Sequence, residues 1–234
     1  AANIKGGINT INPNKSANDD NGHGSHVAGT IAAVNNSIGV VGVGPAIDLY
    51  AVKVLNAAGS GYFSDVIEGL QWAVANGIQV ANMSFGASSG TQSLHDAITA
   101  AYNAGVTLVA AAGNSGNGNP LSYPAVYPEV IAVTATNSSD QVASFSSTGP
   151  EVDLAAPGVA VFSTYKRDTY ATLSGTSMAA PHVTGAAALV ISAKGLTDPA
   201  AVKARLEATA DNLGYPASYQ GAGLVDADEA ALAP

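Results

Sequence analysis

The sequence predicts an α/β protein whose sheet is doubly wound and mostly parallel, with helices on both faces. Short apolar segments alternate along the chain with segments of helical periodicity, which is typical of parallel strands joined by crossover helices. Hydrophobic residues make up 47% of the 234 residues and charged residues only 11%, so the chain can bury one large core. No repeat, linker or low-complexity segment divides the chain, and residues 1–234 are expected to form a single domain.

Turn residues separate the predicted elements of the first half. Asn35-Asn36-Ser37 ends the first helix, and Asn76-Gly77 closes the second. The apolar run over residues 47–55 predicts a buried strand. In chain order we expect a strand and loop over 1–22, a helix over 23–33, a strand over 47–55, a helix from Ser64, a strand over 78–85, a helix over 94–102 and a strand over 106–112.

The second half begins with a loop rich in Gly, Asn, Pro and Tyr. A strand over 130–134 follows, then β-rich segments at 142–145 and 159–164, a long helix at Ser177 and an amphipathic helix over 199–209. In parallel sheets, ligands bind at the carboxyl ends of the strands. Ser84-Phe85-Gly86 and Gly113-Asn114 both fall at such ends.

The charge balance limits the classes of partner. The net charge is -9, from 8 Lys and Arg against 17 Asp and Glu, which argues against nucleic acid and anionic membranes. The absence of cysteine excludes disulfides and thiol catalysis. No uninterrupted apolar run approaches the roughly 20 residues that a bilayer requires, so we expect a soluble, monomeric domain.

A serine stands at the start of the most apolar helix. The segment GTSMAAPHV at 175–183 leads into TGAAALVI at 184–191. The small and apolar residues of this second segment predict a helix buried in the protein interior. The first backbone N–H groups of a helix have no internal partner, and they stabilise negative charge that forms beside them. Ser177 is therefore placed as a nucleophile whose oxyanion would be stabilised, although most serines at helix starts are simple caps.

Two further segments supply groups that a serine nucleophile requires. In NGHGSHVAGT at 21–30, His23 opens a helix rich in glycine and alanine. In AAAGNSG at 110–116, Asn114 follows an apolar strand, where it could otherwise be a turn residue. A base, a nucleophile and an amide donor are the parts of acyl transfer.

Together, these three segments resemble the histidine, oxyanion and serine blocks of the subtilisin-like serine proteases, in that family's order. The resemblance extends from about Asn3 to Leu224-Val225-Asp226-Ala227. It implies a secreted, extracellular serine endopeptidase of broad specificity that acts on proteins or peptides.

The resemblance assigns three catalytic roles. His23 is the implied general base, because a histidine near its ordinary pKa of about 6.5 accepts protons at neutral pH. Ser177 is the implied nucleophile that forms the acyl-enzyme. Asn114 is the implied donor that holds the oxyanion together with the Ser177 backbone N–H. His26, His95 and His182 are interpreted as structural.

The resemblance also implies that an extended peptide adds as a strand between two edges of the protein. The matching edges are Gly59-Ser60-Gly61 and Ser84-Phe85-Gly86. Phe63 and Leu94 are expected as apolar pocket walls, which favours bulky apolar substrate side chains.

Calcium is the implied cofactor. The loop over 34–40 resembles the family's high-affinity calcium loop, in which one amide oxygen and three carbonyls are ligands. Further ligands come, in the family, from segments that this chain does not contain. The implied ligands are Val34, Asn36, Ile38 and Val40, and a second, weaker site would use carbonyls of Ala125, Tyr127 and Val130; an ordinary loop is the alternative for the second.

The chain departs from the family in one respect. The aspartate that orients the catalytic histidine ends a central strand several tens of residues before it, and only 22 residues precede His23. Asp19 and Asp20 match loop positions and are rejected for this role. The fold is therefore expected to lack its N-terminal strand, and the chain alone is expected to be poorly folded and weakly active.

Several explanations remain open at this point. The chain is one part of a nicked enzyme whose N-terminal fragment stays bound, a partial sequence, or an inactive relative that binds peptides. A nucleotide-binding α/β protein is less well supported, because residues 39–44 lack the G-x-G-x-x-G order. An α/β-hydrolase is disfavoured, because the serine block is not G-x-S-x-G and the histidine precedes the serine.

Overall fold

The structure is a computed structural model that describes residues 2–234. The strands are β1 Ile4–Asn9, β2 Leu49–Lys53, β3 Val80–Met83, β4 Thr107–Ala111, β5 Val130–Thr136, β6 Leu154–Pro157, β7 Val161–Tyr165 and β8 Thr169–Leu173. The helices are α1 His23–Ala32, α2 Phe63–Ala75, α3 Gln92–Asn103, α4 Thr176–Lys194, α5 Pro199–Ala208, α6 Ala217–Gln220 and α7 Ala227–Leu232. Strands and helices alternate through most of the chain, as the sequence predicts.

Local chemistry explains several helix boundaries. Thr91 caps α3, because its side-chain oxygen accepts a hydrogen bond from the backbone N–H of Leu94 at 3.2 Å. Asp198 caps α5 in the same way, and Pro199 occupies the first helical position, where a missing N–H costs nothing. Gly195 ends α4 with a φ of 68°, a conformation that glycine adopts without strain.

The central sheet is parallel. Strands β3, β4, β5 and β6 are neighbours in that order, while β1 pairs with β2 in a separate parallel sheet and β7 with β8 in an antiparallel hairpin. Every residue of β4 and β5 is buried, as expected for strands that helices cover on both faces.

Two hydrophobic cores cover the two faces of this sheet. On one face, α4, α5 and α7 contribute small and branched side chains that pack against β4, β5 and β6. On the other face, α2 and α3 pack through residues such as Leu70, Leu94 and Ile98. The predicted α/β architecture with helices on both faces is confirmed.

Helix α1 packs against the outer side of α4. Val27, Ile31 and Met178 form a third, smaller core between these two helices. Glycine permits close packing on this side of α4, because a Cβ atom at Gly185 would lie 2.6 Å from the Cβ of Val43, in the loop after α1, and 3.4 Å from the carbonyl oxygen of Ile31 in α1. The helix that begins at His23 is thus held against the helix that carries Ser177.

Three expectations from the sequence are wrong in detail. Residues 142–145 form only an isolated bridge, between Val142 and Thr136, because the chain turns directly afterwards. Strand β2 is not buried, since Tyr50 and Ala51 are exposed. The second helix begins one residue early, at Phe63. Strands β6 and β8 and helices α6 and α7 were not expected.

The exposure of β2 has a physical cause. A cleft of about 2240 Å³ lies between β2 and β3, and successive residues of both strands line it. Helices α1 and α4 contribute Val27, Ile31 and Ala188 to its walls, and α2 contributes Val66 and Leu70. The parallel strands are thus interrupted by an open channel with a largely apolar lining.

Candidate active site

Ser177 lies in the first turn of α4, next to the end of β3. Its side-chain Oγ donates a hydrogen bond to the backbone carbonyl of Ser84 at 3.1 Å. The hydroxyl of Ser84 donates in return to the backbone carbonyl of Ser177 at 2.8 Å. The proposed nucleophile and the predicted substrate edge 84–86 are therefore in direct contact.

Asn114 lies beside Ser177, after the end of β4. Its side-chain Oδ1 accepts hydrogen bonds from the backbone N–H of Thr176 at 2.9 Å and from the Thr176 hydroxyl at 3.1 Å. The same hydroxyl lies 3.1 Å from the Gly113 backbone N–H, which donates to it. Among residues 2–234, no acceptor is hydrogen-bonded to the NH₂ group of Asn114, which can therefore donate to a ligand while the oxygen is held by Thr176.

A small pocket of about 290 Å³ adjoins these groups. Its lining contains no Lys, Arg, Asp or Glu, and it lies against the first turn of α4, where backbone N–H groups favour negative charge. The lining residues are Phe85, Gly86, Ala111, Gly113, Asn114, Ser115, Ser122, Thr176 and Ser177.

His23 is the first residue of α1 and lines the large cleft, not the small pocket. Burial lowers the pKa of His23, the charge of His26 lowers it further, and Asp19 opposes both effects. The imidazole is therefore neutral at pH 7, the form that a general base requires. Within residues 2–234, no hydrogen bond joins the His23 ring to Ser177 or to Asn114.

The two aspartates before α1 are engaged elsewhere. Asp19 Oδ1 accepts from the backbone N–H groups of Asn21 and Gly22, and its Oδ2 accepts from the backbone and hydroxyl of Ser25, all within 2.9 Å. Asp20 pairs with Lys53 at 2.6 Å. In the described part of the chain, no carboxylate is hydrogen-bonded to His23.

The remaining histidines lie outside this arrangement. His26 is fully buried, and its Nε2 lies 3.0 Å from the carbonyl of Val161. His182 Nδ1 lies 2.9 Å from the carbonyl of Met178, one helical turn earlier. His95 pairs with Glu129 at 3.2 Å. The contact of His26 joins α1 to β7, whereas that of His182 lies within α4.

The two predicted substrate edges line the same cleft. Residues 59–61 are exposed, whereas Ser84 is buried. Phe63 is half-buried and Leu94 is only 1% exposed, and both residues line the cleft. Glycine is needed at two of these positions, because a Cβ atom at Gly61 would lie 2.2 Å from the Val54 carbonyl oxygen and one at Gly86 would lie 2.6 Å from the Ser122 Cβ.

The predicted calcium loop follows α1. Asn36 Oδ1 accepts from the backbone N–H of Ile38 at 2.8 Å, and the backbone oxygens of Val34, Ile38 and Val40 accept no hydrogen bond from the described residues. These neutral oxygens are of the type that Ca²⁺ prefers, but the ion takes about six to eight of them. The loop alone fits calcium in ligand type and not in ligand number.

The second predicted cation site lies in the loop that leads into β5. Ala125, Tyr127 and Val130 are all buried, and the Tyr127 carbonyl accepts the backbone N–H of Val130 at 3.0 Å. Across residues 2–234, no cluster of three or more His, Asp or Glu side chains is arranged to hold a metal ion.

Sequence reasoning missed four residues around Ser177. Thr176 and Ser122 line the pocket, while Asn82 and Thr184 connect to Ser84 through side-chain hydrogen bonds. The sequence feature that indicates two of them is a polar side chain inside an otherwise apolar segment, as at Asn82 in β3 and Thr184 in α4. Such a buried polar side chain requires a hydrogen-bond partner.

None of the helices between residues 2 and 234 combines the length and apolar character needed to cross a bilayer.

The sequence profile of the subtilase family matches residues 1–224. Subtilisin DY of Bacillus licheniformis is 49% identical over 231 residues, which cover 97% of this chain and 84% of that protein. Subtilisin Savinase of Lederbergia lenta is 51% identical over 228 residues, with the same two coverages. The thermostable alkaline protease of Halalkalibacterium halodurans is 51% identical over 227 residues, and the chain spans 62% of its length.

Proposed function

Because the chain belongs to the subtilase family of serine endopeptidases, we propose that it hydrolyses peptide bonds of proteins through an acyl-enzyme on Ser177. The observation that carries this proposal is the position of Asn114. Its amide oxygen accepts hydrogen bonds from Thr176, which leaves the NH₂ group to act as the donor, and Asn114 and Ser177 line the same pocket. An amide donor and a helix N-terminus beside one serine suit a tetrahedral oxyanion.

In the proposed reaction, neutral His23 takes the proton of the Ser177 hydroxyl while Oγ attacks the carbonyl carbon of the scissile bond. The Asn114 amide and the Ser177 backbone N–H donate hydrogen bonds to the resulting oxyanion. Protonated His23 then gives its proton to the leaving amine, and the C–N bond breaks. A water molecule hydrolyses the ester by the same steps, which restores Ser177 and releases the acid.

The substrate is proposed to bind as an extended strand along the edge 84–86. In the structure, the Ser177 hydroxyl donates to the Ser84 carbonyl. A backbone N–H of a substrate that pairs with this edge would compete for that carbonyl. Substrate binding would then release the serine hydroxyl toward His23.

The proposed specificity is broad, with a preference for bulky apolar side chains. The small pocket beside Ser177 has Phe85, Ala111 and two glycines in its lining and no charged group. An ionised substrate side chain would lose its hydration there without gaining a partner.

We further propose that the cleft between β2 and β3 holds an extended strand that ends in an aspartate. Both strands present edges to the cleft, and a strand lying between them would satisfy backbone groups on both sides. His23 lines the same cleft, so a carboxylate at the end of that strand could reach its ring. This carboxylate would fix the tautomer of His23 and stabilise its charged form.

Secretion and calcium binding are proposed from the family resemblance. The loop over 34–40 provides four neutral oxygens, and further ligands would have to come from the segment that accompanies the added strand.

The nucleophile is tested with a phosphonyl fluoride. Peptide mapping should find the label on Ser177, and labelling should abolish hydrolysis of an apolar peptide ester. Ser177→Ala should neither be labelled nor hydrolyse the ester. Hydrolysis that persists in Ser177→Ala would refute the role of Ser177.

The strand is tested by complementation. A synthetic apolar peptide that carries an Asp-(Ser/Thr)-Gly block should raise both the cooperativity of thermal unfolding and the rate of ester hydrolysis. A control peptide with Asn in place of Asp should restore folding but leave hydrolysis about 10⁴-fold lower, the loss seen in chymotrypsin-type triads. Rapid hydrolysis by the chain alone would contradict the proposal, and cooperative melting without hydrolysis in every mixture would indicate a peptide-binding relative.

A further inference from the structure

A proline leaves the backbone carbonyl of Ser177 without its helical partner. In an α-helix, the N–H of residue i bonds to the carbonyl of residue i−4. The residue four positions after Ser177 is Pro181, which has no N–H. The hydroxyl of Ser84 provides the replacement, because it donates to the Ser177 carbonyl at 2.8 Å.

The orientation of each group behind Ser84 follows from this bond. Because a carbonyl only accepts, the Ser84 hydroxyl donates its single proton to the Ser177 carbonyl. The Ser84 oxygen must then accept a hydrogen bond from Asn82. The Asn82 Nδ2 lies 2.9 Å from that oxygen. The Oδ1 of Asn82 therefore faces Thr184, whose hydroxyl lies 2.9 Å from it and 3.0 Å from the backbone carbonyl of Ala180, and shares its single proton between these two acceptors. The chain of donors runs from Thr184 through Asn82 and Ser84 to Ser177.

We infer that Thr184 and Asn82 are positioning residues for Ser177. Ser84 and Thr184 are buried, at 6% and 4% exposure, so water cannot easily replace their hydrogen bonds. Ser84 contacts the nucleophile twice, since its hydroxyl holds the Ser177 carbonyl and its own carbonyl accepts the Ser177 hydroxyl. The rotamer that Thr184 and Asn82 impose on Ser84 thus holds the main-chain carbonyl of Ser177, and with it the backbone from which the Ser177 side chain projects.

This chain of hydrogen-bond donors, called the relay below, also borders the cleft. Asn82, Ser84 and Thr184 all line it, on the side of β3 and α4. The inference rests on the proposed function, because it assigns these residues to the placement of Ser177 as the nucleophile.

Two substitutions at one position test the relay. Thr184→Val keeps the branched shape and removes the hydroxyl, whereas Thr184→Ser keeps the hydroxyl and removes a methyl group. Thr107→Val is the control, because Thr107 is 1% exposed and its hydroxyl has no partner among the described residues. We expect the rate of phosphonyl fluoride labelling of Ser177 to fall up to about tenfold in Thr184→Val, as the loss of one hydrogen bond predicts. Labelling should be close to wild type in Thr184→Ser and in Thr107→Val.

A second measurement does not depend on a reactive serine. The side-chain NH₂ of Asn82 should show slow solvent exchange by NMR in the wild type and in Thr184→Ser, and faster exchange in Thr184→Val. If Ser177 is never labelled in any variant, the proposed function fails, and the Asn82 signals still decide whether Thr184 orients that amide. Unchanged Asn82 exchange in Thr184→Val, or a Thr184→Ser variant that behaves like Thr184→Val, would overturn the inference.

Discussion

Adding one methyl group at Gly29 should destabilise the protein, whereas the same change five residues earlier in the same helix should not. Gly29 faces the β7–β8 hairpin, where a Cβ atom would lie 2.1 Å from Oγ1 of Thr164 and 2.5 Å from Oγ of Ser163. Those two hydroxyls donate to backbone carbonyls of α1, at Ser25 and His26, each at 2.8 Å. Gly29→Ala therefore displaces both donors that tie the hairpin to α1.

The expected magnitude follows from three effects. Overpacking a tight contact costs about 1–3 kcal/mol, and each lost hydrogen bond costs about 1 kcal/mol. The higher helix propensity of alanine offsets about 0.5–1 kcal/mol of this loss, because glycine is unfavourable inside a helix. The free energy of unfolding should therefore fall by about 2–4 kcal/mol, which lowers the melting temperature by about 5–15 °C in a domain of this length.

Gly24→Ala is the matched control. A Cβ atom at Gly24 has ordinary contacts, with its nearest neighbour, Oδ2 of Asp19, at 3.7 Å. Only the gain in helix propensity remains, so the melting temperature should stay level or rise by about 1–4 °C. The three proteins are compared by circular dichroism and calorimetry in one buffer, with and without the strand peptide. A Gly29→Ala variant that melts at or above wild type would show that the hairpin does not depend on these contacts.

Two further predictions concern charge. Lys203 pairs with Asp153 at 2.5 Å with little solvent exposure on either side chain, so Lys203→Met should lower the free energy of unfolding at pH 7 by about 2–3 kcal/mol, whereas removing Lys5 from its exposed pair with Asp48 should cost less than about 1 kcal/mol. Burial raises the pKa of Asp153 against the attraction of Lys203, and the variant should raise that pKa further. The deficit should therefore be complete at pH 7, shrink as pH falls through these raised pKa values, and be lost near the ordinary pKa of about 3.9, where the carboxyl is protonated in both folded proteins. Equal deficits in urea unfolding at pH 3.5 and pH 7 would contradict this account. With the strand segment bound, millimolar calcium should raise the melting temperature relative to excess chelator by an amount that grows with calcium concentration, and an unchanged melting temperature would argue against an ion at residues 34–40.

The sequence predicted the elements whose environment is local or uniform. Strands β4 and β5 are apolar at nearly every position, and α4 is a long run of small residues, so both patterns have one interpretation. The chemistry-bearing residues His23, Asn114 and Ser177 stand in segments that resemble known blocks. The structure places Asn114 and Ser177 in one pocket.

Other features depend on partners far away in the chain. The apolar sequence of β2 indicates burial, but its exposure is decided by what lies beside it, and the cleft is invisible in a local pattern. Strand β6 contains a proline and only four residues, so it carries little signal. Thr184 and Asn82 are 102 residues apart, and no local rule pairs them.

The two open strand edges beside the cleft also affect how the protein behaves in concentrated solution. An unpaired, apolar edge is a template for the strands of other molecules, and β2 and β3 present two of them. At neutral pH the net charge of -9 keeps the molecules apart. As acid neutralises the carboxylates, that repulsion disappears while the edges persist, so turbidity should rise with protein concentration in mild acid, and a bound strand peptide should suppress it.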